Sequence, residues 1–285
     1  MGWLDAHLVP LVDGVAYGLL LFVVAAGMMA AFAVGGVLNL AHGVLVALGA
    51  YTAATLTDGS WIATGLALLV GTVAGAGGGG LLAAVLHPLR RRGHLVQALL
   101  TMGIAFVCAD ALRTAFGPYD LTVAVPAGLD GTANLFGHPY PAYRLAIILA
   151  AVALAVGGWF VLTRTRSGAA VRAAVDDSPI LATLGISPAA VQSGVLVVAG
   201  GLAGLAGALG APVLGVGPTT GGSALLVSLV VVVLGGLRSV GATLAAALGV
   251  GQVQTLGVAL VPTWAPFLLF AAMATALVLR AGRTS

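Results

Sequence analysis

Runs of about twenty apolar residues, separated by short polar segments, fill almost the whole chain, and such runs are what a helix needs to cross a bilayer core about 30 Å thick. Segments that meet or approach this length lie at 11–33, 44–57, 61–86, 95–116, 143–162, 190–210, 223–236, 240–261 and 265–280. The chain therefore reads as an all-α polytopic membrane protein with eight to ten crossings. Of its 285 residues 60% are hydrophobic and 7% charged, against roughly 25% charged in an average soluble domain. The longest polar stretches, 117–142 and 163–189, are far too short for an independent core, so residues 1–285 form a single transmembrane domain. The first ten residues, MGWLDAHLVP, carry Asp5 and no basic region, and they lead into a run longer than a signal-peptide core. The first span is expected to be a retained anchor.

Two of the segments, 44–57 and 223–236, are short, and each follows a glycine-rich break, GGVLNLAHG and APVLGVGPTTGG respectively. Either could be half of a discontinuous helix. Irregular backbone at membrane depth persists only where protein or a water-filled cavity satisfies its amides, which makes both breaks candidates for a pathway wall. Asn39 and His42 lie in the first, and polar side chains at such depth are functional candidates by default. The alternative is that Asn39 caps a helix and His42 packs neutrally against a neighbour. Thr219, Thr220 and Ser223 in the second break offer hydroxyls to a polar solute, or simply cap the helix that follows.

Arginines orient the chain by the positive-inside rule. Arg90–Arg92, Arg164, Arg166, Arg172, Arg238, Arg280 and Arg283 fall on one side, the cytoplasm, while Asp58, Asp120 and Asp130 fall on the other. Nine spans place the N-terminus outside and ten place it inside. Glycines cluster at 71–80 and 199–210, and Gly71 with Gly75, and Gly200 with Gly204, have the spacing that lets helices approach closely. Asp110 and Arg113, one turn apart, are expected to pair.

Composition also excludes chemistry. All eleven basic residues are arginine and all eight acids are aspartate, so neither the lysine of a P-loop nor the glutamate of a zincin helix exists. A lone cysteine, Cys108, allows no intrachain disulfide. His87, His94 and His138 have no partner ligands at metal spacing, so no metal or cofactor is assigned. The net charge of +3 comes from arginines in loops, which does not suggest nucleic-acid binding. No arrangement for nucleophilic catalysis is placed around Ser223. The chain is expected to be non-catalytic.

The segment 163–189, TRTRSGAAVRAAVDDSPILATLGISPA, is basic, then acidic, and rich in helix-forming alanine. A short helix near 168–184, closed by Gly185 and Pro188, would suit docking to a soluble partner that supplies energy from outside the chain. A solvated loop that satisfies topology fits the residue types equally well.

Four blocks resemble one family. AYGLLLFVVAAGMMAAFAVGGVLNLAHGVLVALGAY (16–51), HPLRRRGHLVQALLTMGIAF (87–106), RTRSGAAVRAAVDDSPILATLGIS (164–187), and GGLAGLAGALGAP (200–212) continuing to VVVVLGGLRSVGA (230–242) are similar, in order, to LivH-type permeases of branched-chain amino acid ABC transporters. The resemblance implies an ABC importer permease bundle in a bacterial inner membrane. It also implies alternating access powered by two separate ATPase subunits, a second LivM-like permease and an extracytoplasmic substrate-binding protein. The third block resembles the segment that docks on the ATPase, which assigns that role to Arg164, Arg166, Arg172, Asp176, Asp177, Leu184 and Gly185. Its acids stand upstream of Pro179, Ile180, Leu181 and Ala182 rather than just before the Leu-Gly-Ile, a departure from the family pattern. The substrate pathway is assigned to Asn39, His42, Thr219 and Thr220. Leucine, isoleucine or valine is the implied substrate, with urea, short amides or other small organic solutes as the alternative. An ion-coupled secondary transporter would need buried acids on several helices, where this chain has Asp110 nearly alone. A membrane scaffold would have no cavity at the two breaks.

Overall fold

The computed structural model describes residues 3–36, 38–89, 92–236 and 239–281, and these form eleven α-helices and one β-hairpin. In chain order they are α1 (Trp3–Gly35), α2 (His42–Leu56), α3 (Trp61–Leu86), α4 (His94–Phe116), β1 (Thr132–Leu135), β2 (His138–Pro141), α5 (Ala142–Arg164), α6 (Arg166–Asp176), α7 (Ser178–Thr183), α8 (Pro188–Leu214), α9 (Thr220–Gly235), α10 (Val240–Leu260) and α11 (Ala265–Ala281). Six helices, α1, α3, α4, α5, α8 and α10, are long and apolar enough to span a membrane. The two short apolar helices α2 and α9, of 15 and 16 residues, reach only about 24 Å at 1.5 Å per residue, less than a bilayer core.

The ends of the bundle separate as the charges suggest. At one end the 57–61 turn meets the 117–141 loop, where the Trp61 indole N–H donates to the Ala127 carbonyl at 3.0 Å and Leu121 bridges Val216. Asp58, Asp120, Asp130 and the N-terminal part of α1 all lie at this end, which the positive-inside rule makes the outside. Arg92, Arg164, Arg166 and Arg172 lie at the other. Arg90, Arg91, Arg238 and Arg283 fall outside the described residues.

This arrangement makes the chain an inverted repeat. α1 runs inward, α2 from mid-depth outward, α3 inward and α4 outward, while α8, α9, α10 and α11 run in the opposite sense in the same order. The most extensive helix pairs, α3 with α8 and α1 with α10, are equivalent under that exchange. Inverted repeats with paired short elements at their interface are a recurring transporter plan.

Small residues create both seams. A Cβ built on Gly75 would stand 2.2 Å from the Gly200 carbonyl oxygen, and one on Gly204 2.1 Å from that of Gly71. In the other seam, a Cβ on Gly251 would stand 2.3 Å from the Gly14 carbonyl oxygen. Backbones this close leave room for no side chain. The core between the seams is aliphatic, with Leu19, Leu20, Val23, Leu45, Val46 and Leu209 buried together.

Two expectations change. The 168–184 segment is two helices rather than one, because Pro179 cannot donate to the ladder of α6 and its ring crowds the preceding turn. Asp110 and Arg113 form no ion pair; the ion pair seen among the described residues joins Asp13 of α1 to Arg144 of α5.

Candidate functional site

The chain between α1 and α2 turns back into the bilayer. α1 ends at Gly35, yet the His42 ring nitrogen Nε2 lies 3.0 Å from the carbonyl of Val24, about 16 Å back along α1 at its helical rise. α2 therefore begins at mid-depth. The returning strand is satisfied by side chains: Leu40 N–H donates to Thr101 Oγ1 at 3.1 Å, and Ala41 N–H donates to Asn39 Oδ1 at 3.1 Å. Thr101 is fully buried on α4 and ties that helix to the break. Gln97, one turn earlier, clamps the α3–α4 turn by donating to the carbonyls of Leu89 and Arg92 at 2.9 and 3.2 Å.

The second break mirrors the first. α8 ends at Leu214, Leu121 N–H donates to the Val216 carbonyl at 2.7 Å, and Gly217 N–H donates to Thr220 Oγ1 at 2.8 Å. α9 then starts against the start of α2, where a Cβ on Gly43 would stand 2.0 Å from the Gly221 carbonyl oxygen. Two half-helix N-termini thus meet inside the bundle, and each carries partial positive charge from its unsatisfied amides.

A cavity lies on each side of this junction. The outer one, about 260 Å³, is walled by Tyr17, Leu20, Leu21 and Val24 of α1, Val46 and Ala50 of α2, Ala206, Gly207 and Ala211 of α8, and the 215–224 segment, with Asp120 at its rim. The inner one, about 620 Å³, is lined by Met28, Phe32, Leu38, Leu229, Val232 and Ser239 among others. Val24 bounds the first and Met28 the second, so the closed waist between them is about one helical turn, roughly 6 Å, thick. It is sealed by His42 against Val24, by Gly43 against Gly221, and by Ser228, whose hydroxyl lies 3.5 Å from Met28 Sδ.

Thr219 and Thr220 line the outer cavity together with Ser223. Asn39 and His42 are buried in the junction itself, Asn39 as the acceptor for Ala41 N–H ahead of α2 and His42 as part of the waist, with its Nδ1 lacking a hydrogen-bond partner. Asp120 and Tyr17 were not among the sequence candidates; Asp120 reads as a loop acid, and only the fold brings it over Gly217. Among the described residues no group of three histidine, cysteine or acidic side chains converges as a metal site.

The residues expected from the sequence to dock a partner lie together at the arginine-bearing end of the bundle. Arg164 closes α5, Arg166, Arg172 and Asp176 lie on α6, and Asp177 separates α6 from α7. Thr165 caps α6 by accepting from Gly168 N–H. Leu184 is 67% exposed, and Gly185 adopts φ +77°, the left-handed turn that favours glycine.

An inverted bundle with two half-helices meeting between an outer and an inner cavity has the form of a solute permease, and comparison with known proteins identifies the kind. Residues 11–278 match the family described as branched-chain amino acid transport system / permease component. The chain belongs to this permease family. Among its relatives is a protein of Methanocaldococcus jannaschii described as probable branched-chain amino acid transport permease protein LivH, 26% identical over 251 residues, which cover 85% of this chain and 78% of that one. No solved structure matches. As a member of the branched-chain amino acid permeases, the chain is a multi-pass membrane protein with a transport role, and the two half-helices are the discontinuous elements of its bundle.

Proposed function

We propose that this permease is the transmembrane subunit of an ATP-driven importer of leucine, isoleucine or valine in a bacterial inner membrane. It would work beside a second LivM-like permease, with two ATPase subunits on the α6–α7 segment and an extracytoplasmic binding protein delivering substrate. The observation that carries the reading is the outer cavity at the half-helix junction. The positive end of α9, with the hydroxyls of Thr219, Thr220 and Ser223, suits a carboxylate. Thr220 Oγ1 accepts from Gly217, which leaves its own hydrogen to donate. Asp120 at the rim suits an ammonium, and Leu20, Leu21, Val24 and Val46 suit an aliphatic side chain. Urea or a short amide would leave that apolar wall unused.

Alternating access follows from the thin waist. Separation of α2 from α1 and α9 at His42, Gly43 and Gly27 would join the two cavities, while closure of the outer walls prevents a continuous leak. With no nucleotide motif in this chain, the work has to enter through a partner, and α6–α7 is the polar, capped element that could receive it.

The test is co-purification from native membranes in mild detergent, with the native chain and with residues 168–186 replaced by a Gly/Ser linker of equal length. An ATPase pair that accompanies the native chain and is lost with the linker is the expected result. Absence of any ATPase under conditions that preserve other membrane complexes would refute the importer reading. Uptake of radiolabelled leucine against urea by the reconstituted complex decides the substrate class.

A further inference from the structure

A second, smaller group of polar side chains sits at the outer end of the bundle. Asp13 of α1 accepts from the Arg144 guanidinium of α5 through one carboxylate oxygen and from the Tyr140 hydroxyl through the other, the latter at 2.7 Å. Tyr140 is fully buried, which fixes the carboxylate, while the Asp13 and Arg144 side chains remain 21% and 32% exposed. Both charged groups face a cavity of about 440 Å³ whose walls also include Ile147, Val213, Gln254 and Thr255. Tyr17, Leu20 and Leu214 wall this cavity and the outer cavity of the half-helix junction alike. The two spaces are neighbours across three shared side chains.

We propose that the Asp13–Arg144 pair is an entry station for a zwitterionic solute, which it holds before the solute moves to the half-helix junction. The inference rests on the reading of this chain as an amino-acid permease. An α-amino acid carries the same two charges as the pair. Its carboxylate can replace Asp13 on Arg144, whose guanidinium has donors beyond the one used, while its ammonium takes the released oxygen of Asp13. Every charge keeps a partner through the exchange, so no step leaves an uncompensated ion in the bundle. Solutes with one charge, or none, would open the pair without replacing both halves of it. Tyr140 holds Asp13 in place throughout, and Ile147, Val213 and Leu214 offer apolar surface to a branched side chain. A partly exposed ion pair contributes little as a helix clamp, whereas a charged pair facing a cavity in a membrane helix bundle is a functional site by default.

The test uses the complete transporter reconstituted in liposomes with its binding protein, reading leucine uptake and ATP hydrolysis together. The double variant Asp13→Asn/Arg144→Gln keeps hydrogen-bonding groups at both positions and removes the charges. The expected result is a fall in leucine moved per ATP of about tenfold or more, the size of one lost charge-assisted bond. ATPase stimulation by the loaded binding protein should stay within about twofold, since both changes keep hydrogen-bonding groups at partly exposed positions and lie at the opposite end of the bundle from the docking segment. A purely structural pair predicts that uptake and stimulated hydrolysis fall in parallel, and that result, or an unchanged ratio, overturns the proposal. If the double variant does not assemble, Arg144→Lys carries the test, because it keeps the charge and loses the planar fork. A lowered ratio then supports the station and an unchanged ratio overturns it. If the wild-type complex moves none of the three amino acids while its ATPase responds, the functional reading itself fails, before any variant is compared.

Discussion

Gly75→Ala and Gly77→Ala are the same substitution two positions apart on α3, and the structure gives them opposite signs. At Gly75 the new methyl would sit 2.2 Å from the Gly200 carbonyl oxygen, and real Cβ atoms essentially never come closer than 3.0 Å to such a neighbour. α3 and α8 must therefore move apart along their tightest seam, since the obstruction is backbone and cannot rotate away. Overpacking of this kind costs about 1–3 kcal/mol, and each weak Cα–H···O bond broken as the helices part adds about 0.5–1 kcal/mol. The better helix propensity of alanine returns about 1 kcal/mol. The net is a destabilisation of about 2 kcal/mol, or a melting temperature lower by about 4–8 °C for a chain of this size. A Cβ at Gly77 meets nothing within 4 Å, so only the propensity term remains and melting should rise by about 2–4 °C. Thermal unfolding of the purified chain in detergent, followed by fluorescence of its four tryptophans, measures both. Equal shifts for the two variants, or an unchanged midpoint for Gly75→Ala, would refute the claim that backbone contact holds this seam.

Thr220→Val removes the oxygen that accepts from Gly217 N–H; it should cost about 1 kcal/mol of stability and lower leucine uptake more than ATPase stimulation in the reconstituted complex. Gly185→Ala places a side chain at φ +77°, a strain of about 1–2 kcal/mol in the turn after α7, so the melting midpoint should fall by about 2–8 °C while ATPase co-purification weakens; unchanged co-purification would argue against docking there. Burial, reinforced by the Asp13 carboxylate, holds the Tyr140 phenol above its ordinary value of 10.0. Its neutral form is thus favoured in the fold, and the stability it contributes is complete below pH 10 and is lost as pH rises above that value. Alkaline melting curves should therefore fall less steeply for Tyr140→Phe than for the native chain, and identical slopes would count against the Asp13 contact.

The spans were legible because hydrophobic length is a local property, and the same is true of the two half-helices. GGVLNLAHG and APVLGVGPTTGG announce breaks, and the apolar runs after them are too short to cross. What satisfies the breaks was not legible. Thr101 and Gln97 stand in an apolar run of α4, and nothing local shows that one supports the segment 38–41 while the other bonds to Leu89 and Arg92. Asp120 looks like any loop acid until Val216 pairs with Leu121 and draws it over Gly217. Asp13 and Arg144 lie 131 residues apart, so their pairing depends on the packing of α1 against α5. Asp110 and Arg113 had the right helical spacing, yet spacing permits an ion pair without requiring one. In the docking segment the alanine-rich pattern favoured one helix, and the backbone constraint of Pro179 made two.

The glycine seams also decide what can move. α8 is locked to α3 through Gly71, Gly75, Gly200 and Gly204, and to α2 through Gly207 against Val46 and Gly49 against Gly204. α1 is locked to α10 through Gly14, Gly18 and Gly251. Interdigitated backbones of this kind slide or hinge as units rather than deform. The seams therefore define one body of α2, α3 and α8 and another of α1 and α10, while α9 packs on both, meeting α2 backbone to backbone at Gly43 and Gly221. α6 and α7 both pack on α8, and α6 also packs on α1 and α5, so a force applied to the α6–α7 segment reaches the boundary between the two bodies. Of the contacts that close the waist between the cavities, His42 with Val24 and Gly27 with Ala199 cross from one body to the other, while Gly43 with Gly221 ties α9 to the first. In the proposed mechanism a partner need not act on the pathway directly: displacement of one seam-locked body against the other is enough to part the two crossing contacts together.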